Sequence, residues 1–261
     1  MSLAPLSEAF ENNRFESISL IATDIDGTLT LSGKFTSSLF HAIEELTKTG
    51  IQVLLITGRS AGWVNGLKTY LPVMGAIAEN GGIYFPKDSE IPETLTPIED
   101  LTQHRQSLNH TFQLLKAQFP QLQESVDNRF RLTDWTFDVR GLAFVQLQTL
   151  AELCQQQGWG FTYSTVQCHI KPIDQDKATG LLQVLTRHFP QLKPEEIMTV
   201  GDSPNDESMF DTSKFPLSVG VANVLDYSSY LTHKPAYVTY AKESEGFCEL
   251  AQLLLLKTFT R

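Results

Sequence analysis

The sequence predicts an α/β protein in which a parallel sheet flanked by helices is interrupted partway by an inserted α+β domain. Three observations carry this reading. Short apolar runs alternate with helical patterns through residues 18–82, and such alternation calls for parallel pairing through crossover connections. Each run is continuous rather than alternating, as strands covered on both faces require. The rhythm breaks over residues 84–171 and resumes at Lys177.

Taken in order, Ile18 to Ala22 is the first apolar run and ends in Asp24. A helical pattern follows from Ser37 to Thr49, closed by Gly50 as a C-terminal cap. The run Ile51 to Ile56 ends in Thr57-Gly58-Arg59, a helix fits Ala61 to Tyr70 before Pro72, and Ala76 to Ala78 leads into Glu79-Asn80-Gly81-Gly82. Residues 84–171 are Pro-punctuated and glutamine-rich. They contain an alternating stretch, Phe130 to Val139, that reads as a half-exposed antiparallel strand. A helix from Leu142 to Gln157 and strands at Trp159 to Tyr163 and Val166 to Lys171 complete this insertion. From Lys177 the pattern predicts a helix to His188, a strand Ile197 to Val200 ending in Gly201-Asp202, a helix from Asn205, and strands at Leu217 to Val221 and Ala236 to Thr239. The expected division is therefore a core of residues 1–83 and 172–261 and a cap of residues 84–171.

Composition narrows the function classes. With 41% hydrophobic and 19% charged residues over 261 positions, the chain is of globular type. Its formal charge of -10 argues against the broad basic surface that binds nucleic acid or membranes. Cys154, Cys168 and Cys248 are too few and scattered for a disulfide framework, which predicts reduced thiols and a cytoplasmic setting. The opening stretch lacks a basic flank leading into an apolar segment, so no signal peptide is expected, and no run approaches bilayer length.

In an open parallel sheet, ligands gather beyond the carboxyl ends of the strands. Three such ends carry Asp24-Ile25-Asp26-Gly27-Thr28, Thr57-Gly58-Arg59 and Gly201-Asp202-Ser203-Pro204-Asn205-Asp206. Carboxylates crowded together need a cation, and hard oxygen ligands favour Mg²⁺. Thr57 with its following amides can donate to phosphoryl oxygens and Lys177 can supply a point charge, a set that suits a phosphate monoester. Neither a Walker-type loop nor a dinucleotide fingerprint occurs.

These motifs, in this order, resemble the haloacid-dehalogenase-like hydrolase superfamily, in the Cof-type branch whose large cap is inserted after the third core strand. The Asp-x-Asp-Gly-Thr signature is Asp24 to Thr28, the Thr-Gly-Arg loop is Thr57 to Arg59, the lone lysine is Lys177, and Gly-Asp-x-x-Asn-Asp is Gly201 to Asp206. The resemblance implies a Rossmann-like core and a phosphatase of small phosphorylated metabolites, most notably sugar phosphates. It implies that Asp24 attacks phosphorus to form an aspartyl phosphate and that Asp26 protonates the leaving alcohol and then activates water. Asp24, Asp26, Asp202 and Asp206 would surround Mg²⁺. Lys177 and Thr57 would stabilise the transferring oxygens, with Gly58, Arg59 and Asn205 as further substrate-binding positions. A sucrose-phosphate-like or mannosyl-phosphoglycerate-like phosphatase, a phosphotransferase, and a phospho-aspartate signalling protein are the alternatives; the last is disfavoured by the insertion and by the acid two residues from the nucleophile.

Within the insertion, Trp135, Phe137, Trp159, Phe161 and Tyr163 are expected to form the cap's own core. Arg129, Arg131 and Arg140 are candidates to read the substrate's far end. His169 is expected to be a satisfied structural histidine. Lys171 competes with Lys177 for the lysine role. Oligomeric state is left open.

Overall fold

The computed structural model describes residues 3–12 and 14–258; Met1, Ser2 and Asn13, part of the opening stretch read above for a signal sequence, lie outside them. In chain order the elements are β1 (Ala4–Pro5), α1 (Leu6–Glu11), β2 (Leu20–Thr23), α2 (Ser37–Lys48), β3 (Gln52–Ile56), α3 (Ala61–Tyr70), β4 (Gly75–Ala78), β5 (Ile83–Pro86) and β6 (Glu93–Thr94). There follow α4 (Leu101–Gln118), β7 (Trp135–Asp138), α5 (Phe144–Gln156), β8 (Gly160–Tyr163) and β9 (Gln167–Lys171). The chain ends with α6 (Lys177–His188), β10 (Ile197–Gly201), β11 (Leu217–Gly220), β12 (Tyr237–Val238) and α7 (Glu243–Thr258).

Nine strands form the larger sheet in the order β1-β12-β11-β10-β2-β3-β4-β5-β6. Every pair from β1 to β4 is parallel, as the alternating rhythm requires. Successive residues of the central strands feed opposite cores. Ile21, Val53 and Leu55 pack with α2, α3 and α7, whereas Leu20, Ala22, Leu54 and Ile56 pack with α6. This two-sided burial is the physical reason the strands read as continuous apolar runs. The parallel register places Ile197 of β10 beside Leu20 of β2 and Val200 beside Thr23. The loops after both strands therefore leave the sheet side by side.

The smaller sheet is antiparallel, β7-β9-β8, and is backed by α4 and α5. Leu108, Phe112, Leu115, Phe137, Leu147, Leu150, Cys168 and Ile170 are buried in its core, with Trp135, Trp159, Phe161 and Tyr163 packed against them. The aromatic residues thus lie where the sequence placed them.

Four features differ from the sequence reading. First, β5 and β6 extend the larger sheet in antiparallel fashion, so residues 84–94 belong with it and the expected boundary at 84 falls inside a core hairpin. Second, the eighteen-residue α4 occupies the stretch read only as Pro-punctuated. Third, the strand expected over Phe130 to Val139 shrinks to Trp135–Asp138, because Val126–Phe130 winds into a 3-10 turn. Fourth, the segment from Pro204 to Phe210 is 3-10 rather than α-helical, and α7 was not anticipated.

One close approach fixes where α6 begins. Asp176 caps the helix by accepting from the Thr179 amide at 2.7 Å. Four residues after Asp176, a methyl group on Gly180 would lie 2.6 Å from Gly81 Cα, and one on Gly81, whose φ is +98°, would lie 2.1 Å from the Asp176 carbonyl oxygen. Glycine at both positions lets the first turn of α6 abut the loop after β4. In an open helix Gly→Ala stabilises by about 1 kcal/mol. Here the sign should reverse: Gly180→Ala is expected to cost about 1–3 kcal/mol in urea unfolding through overpacking, and unchanged or raised stability would show that the contact yields freely.

Candidate active site

Asp24 leaves the end of β2 with its amide donating to the Val200 carbonyl of β10 at 2.9 Å. Asp202 follows directly after β10. Carboxylate oxygens of Asp24, Asp202 and Asp206 lie within 4.8 Å of one another, and all three residues are buried. The two acids from remote parts of the chain therefore meet, as the motif spacing predicted.

Lys177, fully buried in the first turn of α6, lies between two of them. Its Nζ donates to Asp24 Oδ1 at 2.5 Å and to Asp206 Oδ1 at 2.6 Å. Burial works against the ammonium, but the two carboxylates outweigh it and hold its pKa above the ordinary lysine value. Asp24 shows the converse. Burial, reinforced by Asp206 and Asp26 and opposed by Lys177, pushes its carboxyl up to about 7. Burial and the charges of Asp24 and Asp206 likewise raise Asp202 well above the carboxylate range.

Each acid has different neighbours. Asp206 Oδ2 accepts from the amides of Asp202 and Ser203 while Oδ1 accepts from Lys177, so Asp206 braces the Asp202 loop and Lys177. Asp202 accepts from the Thr28 hydroxyl and the Asn223 amide. Asn223 also donates to the Gly27 carbonyl. Gly27 has φ +83°, and a Cβ there would fall 2.5 Å from Asp202 Oδ2. Its absence keeps the space between the two loops clear. Three buried carboxylates against one buried ammonium, with two carboxyls raised by burial and by mutual repulsion, form a donor set that fits a hard divalent cation such as Mg²⁺.

Thr57, Gly58 and Asn205 line a small closed chamber together with Asp24, Asp26 and Arg59. The Thr57 hydroxyl accepts from the Arg59 amide, and Asn205 is held by Ser203 and Asn80. Arg59 departs from expectation. Its guanidinium grips Asp26 with both oxygens, at 2.6 and 2.7 Å, and lies over the Trp63 ring, so in this state it binds an acid of the site rather than offering itself to an anion. Arg59 and Gln167 also line an adjoining cavity of about 600 Å³.

The roof of the chamber comes from the smaller sheet: Ser164, Val166, Gln167 and His169. Two buried anchors fasten that roof to the floor. Glu79, in a left-handed conformation uncommon outside glycine, accepts from the amides of Ala61, Leu132 and Thr133 and from the Thr133 hydroxyl. Arg131 donates to the Gly58 carbonyl and to both oxygens of Asp134. Arg131 is therefore a structural tie, Arg140 pairs with Asp138 at the surface, and Arg129 stacks on Phe130. Lys171 lines a separate cavity with Asp176 and Asn205, whereas Lys177 hydrogen-bonds within the carboxylate cluster. Sequence reasoning missed Glu79, Asn223 and the Arg131–Asp134 tie. Glu79 and Asn80 beside paired glycines were the only local signal.

Comparison with known proteins agrees with this geometry. The chain is 28% identical over 251 residues to a phosphoglycolate phosphatase of Staphylothermus marinus, covering 92% of this chain and 99% of that one. It is 29% identical over 246 residues to phosphoglycolate phosphatase 1 of Saccharolobus solfataricus, covering 93% and 98%. Among solved structures, a Thermoplasma acidophilum protein superposes with a TM-score of 0.74 at 23% identity, covering 92% of this chain and 99% of that chain. The C-terminal domain of trehalose-6-phosphate phosphatase from C. albicans gives 0.71 at 15% identity, covering 98% and 99%; both show likeness of fold. Residues 21–119 and 142–234, which include every motif above, match the haloacid dehalogenase-like hydrolase family, and to that family the chain belongs.

Proposed function

We propose that the protein is a Mg²⁺-dependent phosphatase that hydrolyses small phosphorylated metabolites, in particular sugar phosphates, through an aspartyl phosphate on Asp24. The observation that carries this is the meeting of Asp24 and Asp202 with Lys177 in one buried cluster beneath a closed chamber. The names of the curated relatives make 2-phosphoglycolate the first ester to assay beside sugar phosphates.

In this reading an ionised Asp24 oxygen attacks phosphorus as the bond to the leaving oxygen breaks, and Asp26 gives that oxygen its proton. Asp26 then takes a proton from the water that attacks the aspartyl phosphate, which frees inorganic phosphate and restores Asp24. Because Arg59 occupies both Asp26 oxygens, that pair must open before the proton can move. Lys177 and the Thr57 hydroxyl face the charge spread over the transferring oxygens. Mg²⁺, held chiefly by Asp24 and Asp202 with the Asp26 carbonyl, would supply the positive charge that lets a carboxylate approach a phosphate dianion. Among the described residues no helix is long and apolar enough to cross a membrane.

Replacing Asp24 with Asn should lower Mg²⁺-dependent hydrolysis of p-nitrophenyl phosphate by at least about 1,000-fold. A variant that retains turnover would remove Asp24 from the nucleophile's role. Metal binding should depend on pH in a stated direction. A cation takes the ionised carboxylates, and with Asp24 titrating at about 7 in the metal-free protein a proton competes below that pH. Calorimetric titration with Mg²⁺ should therefore show affinity weakening as pH falls from 8 to 6, by up to about tenfold per pH unit for each proton displaced. An affinity constant across that range would contradict the raised carboxyls.

A further inference from the structure

His169 belongs to the smaller sheet, yet it lines the chamber together with Asp24 and Asp26. Alternation along β9 explains how. Cys168 and Ile170 are buried in the core of the smaller sheet, so His169 between them projects from the opposite face, toward the floor made by the loop after β3. The ring is 1% exposed and one edge is fully committed: Nδ1 lies 2.8 Å from Asp134 Oδ2. Asp134 is itself buried and held through both oxygens by Arg131, which also grips the Gly58 carbonyl. The imidazole is thus clamped to the same loop that supplies Thr57 and Gly58.

The other edge is free. Among the described residues Nε2 has no hydrogen-bond partner, and it meets the chamber at Gly58, where a Cβ would come within 3.1 Å of Nε2 and 3.0 Å of Cε1. An ionised Asp134, which only accepts, fixes the proton on Nδ1 and leaves Nε2 of the neutral ring as an acceptor. Burial, with Arg131 and Lys177 nearby, keeps the ring's pKa below the usual histidine value despite Asp134, in accord with that tautomer. A structural role accounts for Nδ1 alone. The Nε2 edge lies against Gly58, and the residue lines the space that a substrate must enter.

We infer that His169 is a specificity-determining residue whose Nε2 accepts a hydrogen bond from a hydroxyl on the leaving-group side of the substrate, selecting polyol and sugar phosphates. The inference rests on the phosphatase reading above and names the chemistry its chamber recognises. Carboxylate-bearing esters offer no donor to this edge of the ring.

The test compares kcat/KM of the full chain in Mg²⁺ for sn-glycerol 3-phosphate, whose leaving group carries hydroxyls, p-nitrophenyl phosphate, whose leaving group carries none, and 2-phosphoglycolate, which carries a carboxylate. His169→Phe keeps the ring's bulk without an acceptor, and His169→Gln keeps an acceptor. His169→Phe should lose roughly 10- to 100-fold on glycerol phosphate, mostly in KM, the size expected when one buried polar group loses its partner, and less than about threefold on p-nitrophenyl phosphate. His169→Gln should recover part of that loss. Equal losses on all three esters would mark a purely structural histidine, no loss on any would remove it from the substrate, and the greatest loss on 2-phosphoglycolate would assign a charged ring reading a carboxylate. Each of these overturns the inference. If His169→Phe does not fold, the glycerol phosphate to p-nitrophenyl phosphate ratio of His169→Gln decides, and a ratio lowered as far as tenfold overturns the acceptor role. Failure of the wild-type chain to hydrolyse any of the three would instead overturn the phosphatase reading, and this inference with it.

Discussion

The arrangement depends on keeping like charges together without water. Asp24, Asp202 and Asp206 are all buried, and Lys177 is the one cation that hydrogen-bonds within the cluster. Asp24 and Asp202 end neighbouring strands whose register brings their loops together, so the repulsion cannot be relieved by moving them apart without breaking the central sheet. Lys177 relieves part of it, Asp206 adds to it, and burial together with that repulsion raises the carboxyls of Asp24 and Asp202. A fold that holds unrelieved negative charge in this way is poised to take up positive charge, and nothing softer than oxygen is offered for it. The structure thus stores at the site an affinity for a hard cation, at the expense of the stability that neutral residues would have given there.

How much of this was legible follows the range of the determining contacts. Ala61 to Tyr70 and Lys177 to His188 were read to the residue because Pro72, the Asp176 cap and the last-turn cations are local punctuation. The central strands were equally readable, since burial on both faces leaves a composition that no exposed segment shares. The helix α4 was overlooked although Asp100 caps it and Leu108, Phe112 and Leu115 form an apolar stripe. That stripe is narrow, and the polar remainder faces solvent, so the segment's average composition resembles a loop. The hairpin β5–β6 carries too few residues to show a period, and its place in the larger sheet is decided by pairing with β4.

The site divides in the same way. The motif residues were identifiable because phosphoryl chemistry demands particular groups at strand ends. Whether Arg59 meets phosphate or an acid is a matter of three-dimensional reach, not of sequence neighbourhood, and here its guanidinium holds both oxygens of Asp26. Glu79, Asn223, Arg131 and Asp134 are separated by up to 144 positions and become intelligible only as partners. A lone arginine in the insertion reads as a surface residue until Asp134 and the Gly58 carbonyl are seen beside it.

Those partners bear on selectivity. Glu79 and Arg131 tie the segment 131–134 to the loops after β3 and β4 with buried, charge-assisted hydrogen bonds, and Asp134 passes that order on to His169. The roof over the chamber is therefore positioned by the same loop that presents Thr57 and Gly58, rather than by a surface free to drift. Arg59, Val166 and Gln167 line both this small chamber and the adjoining cavity of about 600 Å³, so the two are continuous at those side chains. In this organisation the strand ends of the larger sheet carry the carboxylate cluster, and one strand of the smaller sheet turns a histidine down onto them.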